Sequence, residues 1–253
     1  TRVRSKGRQA MSHAVTELES ELRQGGDPAR AEAQRAYFKL DMQYLGTTLP
    51  ETRAKVRAWL KAQQVTERDD VWAVATQLWS ADAFQFRQAA VEVLDARRRV
   101  LGASDLADVE QLLRTSHTWA LVDPLATNVV WAIASQDADG LPLPGDVLDR
   151  WAGDEDFWIR RSALLSQLPV VRPVGGVPTR YFGYADEMLD EREFFIRKAI
   201  GWVLRDMGRR RPDEVAAWVL PRAGRLSGVT RREVLKVLSD DQRQELSATR
   251  QPH

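Results

Sequence analysis

Ile196-Arg197-Lys198-Ala199-Ile200-Gly201 has two other versions in the chain, Ile159-Arg160-Arg161-Ser162-Ala163-Leu164 and Phe86-Arg87-Gln88-Ala89-Ala90-Val91. The first residues of the earlier pair are 73 positions apart and those of the later pair 37. The longer interval is two of the shorter ones, so a further unit is expected near residue 122. A degenerate copy stands there, Leu121-Val122-Asp123-Pro124-Leu125-Ala126. From Phe86 through Leu121 and Ile159 to Ile196 the steps are 35, 38 and 37 residues. Weaker copies fall around Thr52-Arg53-Ala54 and Thr230-Arg231-Arg232. Each step has room for two helices and their turns. It is shorter than the roughly 40–47 residues of typical HEAT units, and no tetratricopeptide or ankyrin signature is present. The expected fold is therefore all-α, a curved α-solenoid of HEAT-like two-helix repeats, in which each pair buries its apolar face against its neighbours.

Outside the copies the periodicity is also helical. MSHAVTELESELRQ (11–24), QRAYFKLDMQYLG (34–46), ETRAKVRAWLKAQ (51–63) and VWAVATQLWS (71–80) place apolar residues at i, i+3, i+4 and i+7. Nothing alternates with period two, and no hairpin signal separates β-branched runs. Thr48-Leu49-Pro50-Glu51 and Arg211-Pro212-Asp213-Glu214 read as helix starts, with proline in the first turn. Breaks are expected at Gly25-Gly26, Gly102, Asp139-Gly140 and Gly175-Gly176. The stretch 169–184 (PVVRPVGGVPTRYFGY) is rich in Gly and Pro and reads as a surface loop or short hairpin carrying Arg172 and Arg180. Residues 1–10, with four positive charges and no acid, read as a flexible basic arm. Residues 11–245 read as one repeat domain and 246–253 as a disordered tail.

Composition narrows the chemistry. The 253 residues include no cysteine and three histidines. That leaves out disulfides, thiolate metal sites and a cysteine nucleophile, and neither a metal nor a cofactor is expected. No apolar run approaches the roughly 18 residues of a membrane helix, and no apolar segment follows the basic N-terminus as in a signal peptide. The balance of 37 Lys+Arg against 36 Asp+Glu excludes a uniformly basic surface, so any anion-binding face must be local. Residues 205–232, with eight Arg against three acids, are one such excess. Nine tryptophans are about three times the usual number for this length.

In the repeat register, Gln88, Asp123, Arg161 and Lys198 are equivalent, one carboxylate among cations along one face. Trp119 stands one helical turn before Asp123, and Trp202 one turn after Lys198. The same residues admit plainer readings. A tryptophan usually packs in a core, and Asp before Pro is a common helix cap.

YLGTTLPETR (44–53), LWSADAFQFRQAA (78–90), TSHTWALVD (115–123), DFWIRRSALL (156–165) and above all EFFIRKAIGWVLRD (193–206) resemble the AlkD family of bacterial alkylpurine DNA glycosylases. The resemblance runs from about Tyr37 to the helix at 230–240. It implies excision of cationic bases such as N3-alkyladenine and N7-alkylguanine from double-stranded DNA, with the base left in the stack and bulky adducts tolerated. It also implies that Trp119, Asp123, Arg161 and Trp202 line the catalytic cleft. Thr48, Arg53 and Arg205 match positions on the DNA backbone, Tyr37 matches a cleft tyrosine, and Lys198 joins them through the repeat register. A bacterial cytoplasmic, nucleoid-associated monomer is expected, with alkylated duplex DNA as its partner, no membrane and no obligate protein partner. The sequence departs from the family at Thr118, Ala120, Leu49 and the 169–184 stretch. A non-catalytic DNA-binding solenoid and a protein scaffold, the common work of such folds, are the alternative readings.

Overall fold

The structure is a computed structural model that describes residues 2–135, 144–174 and 176–248. Its helices are α1 (Arg2–Gln24), α2 (Pro28–Phe38), α3 (Leu49–Ala62), α4 (Arg68–Ser80), α5 (Phe84–Ala96), α6 (Leu106–Ser116), α7 (Trp119–Pro124), α8 (Trp131–Ala134), α9 (Pro144–Ala152), α10 (Phe157–Leu165), α11 (Leu168–Val171), α12 (Thr179–Glu187), α13 (Phe194–Gly208), α14 (Pro212–Val219), α15 (Gly228–Val234) and α16 (Asp240–Ala248). A π-helical stretch, Leu125–Val130, joins α7 to α8. Among the described residues no strand occurs, only an isolated parallel bridge between Gln43 and Ala83. The chain is all-α, as the repeat indicates.

The repeat is visible in where helices begin. Phe86, Leu121, Ile159, Ile196 and Thr230 are each the third residue of their helix, and each is buried. Short polar caps set several of these starts. Thr118 accepts from the Ala120 amide, Asp156 from Trp158, Glu193 from Phe195 and Ser227 from Thr230, which satisfies amides that have no intrahelical partner. Polar bonds between distant segments recur at the repeat interval. Arg53–Glu92, Trp72–Asp105, Asn128–Asp95, Arg160–Glu191, Lys198–Glu233 and Arg222–Asp186 link residues 31 to 39 positions apart.

The helix contacts group into two compact units, Thr1–Asp105 with Ser116–Ile133, and Leu106–Thr115 with Ala134–His253. Helix pairs in a repeat touch only near neighbours, so contacts gather locally. In unit 1, α3 packs on α5, α5 on α7, and α1 on α4. In unit 2, α10 packs on α9 and α13, and α13 on α15. The four clear copies and the two weaker ones therefore lie on helices that stack on one another within each unit.

Several expectations are corrected. The helix read over 34–46 stops at Phe38. Lys39 is left-handed (φ 55°) and the following residues are not helical. Tertiary bonds hold that segment: the Leu45 amide donates to the buried Gln85 side chain at 2.8 Å, and the Phe84 amide donates to the Gln43 carbonyl at 2.9 Å. The stretch 169–184 is not one continuous loop or hairpin. It contains the end of α11 and most of α12, because Val171, Tyr181 and Tyr184 supply a buried face and Tyr181 donates its hydroxyl to the Ile200 carbonyl. Arg172 and Arg180 pair with Asp206 and Asp149. Beside these corrections, residues 2–10 belong to the backbone of α1, and Leu246 is buried in α16. Asp139-Gly140, Gly175 and residues 249–253 lie outside the described residues.

Candidate active site

Two of the four residues expected to be catalytic, Trp119 and Asp123, belong to unit 1, and Arg161 and Trp202 belong to unit 2. Trp119 and Asp123 share α7, one turn apart. Asp123 does not cap a helix: the cap is Thr118, and Asp123-Pro124 lies inside a helical run that continues through the π-helical stretch to Ala134. Pro124 has no amide hydrogen and its ring crowds the preceding turn, so the ordinary i−4 ladder cannot persist there. The helix widens instead. The Trp131 amide donates to the Ala126 carbonyl five residues back, and the Thr127 hydroxyl donates to the Asp123 carbonyl at 2.8 Å. Interruptions of this kind are frequent at functional sites. Here the interruption begins beside the carboxylate.

Asp123 is 9% exposed, whereas Trp119 keeps 37% of its surface in solvent. Five of the nine tryptophans (Trp59, Trp79, Trp151, Trp158 and Trp218) are buried, so Trp119 is not an ordinary core indole. It packs on Phe38, centroids 6.1 Å apart, and meets Tyr37 nearly edge to face at 6.4 Å and 86°. Phe38 in turn packs on buried Phe84 at 4.7 Å. One edge of the aromatic group is thus anchored in the core while Tyr37, 67% exposed, and Trp119 stay wet. Exposed aromatic faces beside a sheltered carboxylate suit a cationic ligand.

In unit 2, Arg161 is 3% exposed. It donates to the Phe195 carbonyl at 2.5 Å, and its guanidinium lies 5.7 Å from the Phe195 ring centroid. Trp202 is part-exposed on α13. Lys198 and Arg205, on the same helix, both bind the buried carboxylate of Glu233 on α15, and Lys198 does so at 2.5 Å. Lys236 joins them at 2.9 Å. Burial pushes the Glu233 carboxyl up, but hydrogen bonds from Lys198 and Lys236 and the nearby Arg205 charge outweigh it and bring it down to about 2. α13 and α15 come this close only because residue 201 is glycine: a Cβ there would lie 2.9 Å from the Glu233 Cβ and 3.1 Å from the Thr230 Cα.

The remaining expected DNA contacts are in unit 1. Arg53 makes a two-pronged bond to buried Glu92 at 2.7 and 2.9 Å, and this hydrogen bonding raises its already high pKa. Thr48 closes a capping box at the start of α3: its amide donates to Glu51 Oε2 at 2.7 Å while its hydroxyl oxygen accepts from the Glu51 amide. The structure gives Thr48 a structural task that its neighbouring sequence already advertised. The excess of arginine in 205–232 is largely compensated. Arg205, Arg209, Arg211, Arg222 and Arg225 pair with Glu233, Asp206, Glu214, Asp186 and Asp190.

A family model described as DNA alkylation repair enzyme matches residues 18–238. The chain belongs to the DNA alkylation repair enzyme family. Its fold is similar to that of a solved structure described as a predicted DNA alkylation repair enzyme from Enterococcus faecalis. The TM-score is 0.72 at 21% identity, covering 85% of this chain and 97% of that one. No curated protein sequence matches the chain significantly. The family gives the protein a role as a DNA repair enzyme for alkylation damage, with DNA as its partner. Against that role, the sequence reading missed the buried acids Glu92 and Glu233, which hold three of its expected DNA contacts. Their spacing was a usable signal: Glu92 follows Arg53, and Glu233 follows Lys198, by about one repeat.

Proposed function

We propose that this protein is a monofunctional DNA glycosylase that hydrolyses the N-glycosidic bond of cationic alkylated purines, N3-alkyladenine and N7-alkylguanine, in duplex DNA. The observation that carries the reading is α7, where the sheltered carboxylate of Asp123 stands one turn from the exposed indole of Trp119. Alkylation at N3 or N7 has already made the base cationic, so it departs as a neutral molecule with the bonding electron pair and needs no protonation. Positive charge then grows on the sugar at C1′. Asp123 stabilises that charge and orients a water whose oxygen bonds to C1′ while its proton passes to the carboxylate or to solvent. Trp119 and Tyr37 supply aromatic surface to the cationic sugar, each contact worth about 0.5–2 kcal/mol.

For unit 2 the resemblance assigns Arg161 to a phosphate and Trp202 to the cationic sugar. Arg53, Lys198 and Arg205 serve the backbone, a sequence-independent and salt-dependent term. Electrostatic work on the sugar does not require the base to leave the stack, so bulky adducts fall within reach and no pocket must measure the base. No lysine is cast as a Schiff base, and no cofactor or metal enters the scheme. A monomer in the bacterial cytoplasm, associated with the nucleoid, completes the reading.

The test is base release from a duplex carrying a single N7-methylguanine, measured in single turnover. Asp123→Asn keeps the shape of the side chain and removes its charge. It is expected to slow release by orders of magnitude with DNA binding nearly unchanged. Release at the native rate would refute the mechanism.

A further inference from the structure

We infer that Glu233 is a positioning residue for DNA binding: it gathers Lys198, Arg205 and Lys236 into one phosphate-binding cluster, in which Lys236 is a contact not otherwise assigned. This rests on the assignment of Lys198 and Arg205 to the DNA backbone, not on the chemistry given to Asp123.

The geometry is asymmetric. The Glu233 side chain is 5% exposed, while those of Lys198, Arg205 and Lys236 are 39%, 24% and 55% exposed. The carboxylate therefore holds each cation from the inside and leaves part of each side chain in solvent. Glu233 Oε1 takes Lys198, and Oε2 takes Arg205 and Lys236. Three cations on one carboxylate leave a local charge of +2, enough to accept a phosphodiester and remain positive. An ordinary surface ion pair neutralises itself, as Arg225 does with Asp190.

Without the carboxylate, two lysines and an arginine at this spacing would repel and spread. Holding them in place before DNA arrives removes part of the ordering cost of binding. Gly201 belongs to the same device, because any side chain there would push α15 and its Glu233 away from Lys198. The arrangement lies wholly inside unit 2.

The experiment measures binding of the full chain to an undamaged, fluorescently labelled duplex across a salt series. Glu233→Gln makes the protein more positive. If Glu233 merely competed with phosphate for the cations, binding would tighten. Positioning has the opposite sign: binding is expected to weaken about fivefold, and the slope of log K against log salt to become shallower by about 1, the loss of roughly one phosphate contact. Glu233→Asp should recover part of the affinity. Lys198→Met should weaken native protein severalfold and change Glu233→Gln protein little.

Lys236→Met, on the surface, tests the cluster without touching a buried group and serves if Glu233→Gln does not fold. About threefold weaker binding with a shallower slope is expected. Unchanged or tighter binding in Glu233→Gln, or unchanged binding and slope in Lys236→Met, would overturn the inference. Base release from methylated duplex separates the two claims. A protein that shows these binding changes yet releases no base keeps the phosphate cluster and loses the glycosylase reading.

Discussion

Gly201 and Gly183 both lie inside helices of unit 2, and replacing each by alanine should have opposite effects. A Cβ at Gly183 meets nothing within 4 Å, so Gly183→Ala carries only the gain in helix propensity, about 0.8–1 kcal/mol. A Cβ at Gly201 would stand 2.9 Å from the Glu233 Cβ, 3.0 Å from its Cγ and 3.1 Å from the Thr230 Cα. One of these atoms is main chain and another is bonded directly to it, so neither can swing aside and α15 must shift as a body. Overpacking of this kind costs about 1–3 kcal/mol. Against the same propensity gain, Gly201→Ala is left about 0–2 kcal/mol less stable than native. At about 2–4 °C per kcal/mol for a protein of this size, Gly183→Ala should melt about 2–4 °C higher and Gly201→Ala as much as about 8 °C lower. Calorimetry or thermal circular dichroism at one scan rate reads the pair. Because α15 carries Glu233, Gly201→Ala should also bind duplex DNA more weakly, whereas Gly183→Ala should bind as native. If both variants melt higher by the same amount, α13 and α15 are not in close contact and the account of Glu233 falls with it.

Truncating tryptophans should separate function from packing. Trp151→Ala empties a fully buried site and should destabilise by about 3–5 kcal/mol, whereas Trp119→Ala should leave the melting temperature within a few degrees and slow base release at least tenfold. Urea unfolding and single-turnover release would show the reverse pattern if Trp119 were structural. Acid should weaken unit 2 through Glu110 and Glu233. Burial raises both carboxyls, but cationic partners (Arg150 and Arg114 with the Trp151 indole N–H for Glu110) bring each down to about 2, below the ordinary 4.5. A depressed carboxyl stabilises the folded state fully above its unfolded value, and that stability is lost as pH falls from about 4.5 towards 2. Denaturation curves across that window should show a flatter acid loss in Glu110→Gln than in native protein, and an unchanged pH profile would remove the group from the account. Thr48→Ala should cost about 1 kcal/mol through loss of the α3 cap with little change in base release, which tests whether the residue serves the helix or the DNA.

The repeat was legible from spacing alone, because a recurring helix start must place the same apolar residue at the same depth each time. Phe86, Leu121, Ile159 and Ile196 do this even where the second copy has lost its basic residues. Trp119 and Asp123 were legible for the same reason: i and i+4 on one helix share a face whatever surrounds them. Three matters were decided only by tertiary structure. The segment 39–46 has helical periodicity yet is not helical, since a buried glutamine forty residues away takes its backbone. The stretch 169–184 has the composition of a loop yet contains much of α12, since its tyrosines find a core. The charge on Lys198, Arg205 and Arg53 was countable from the sequence, and Glu92 and Glu233 stand at repeat spacing from it, but only the fold buries those two carboxylates against it. A sequence lists charges, whereas burial decides which of them must find a partner and which are left to meet DNA.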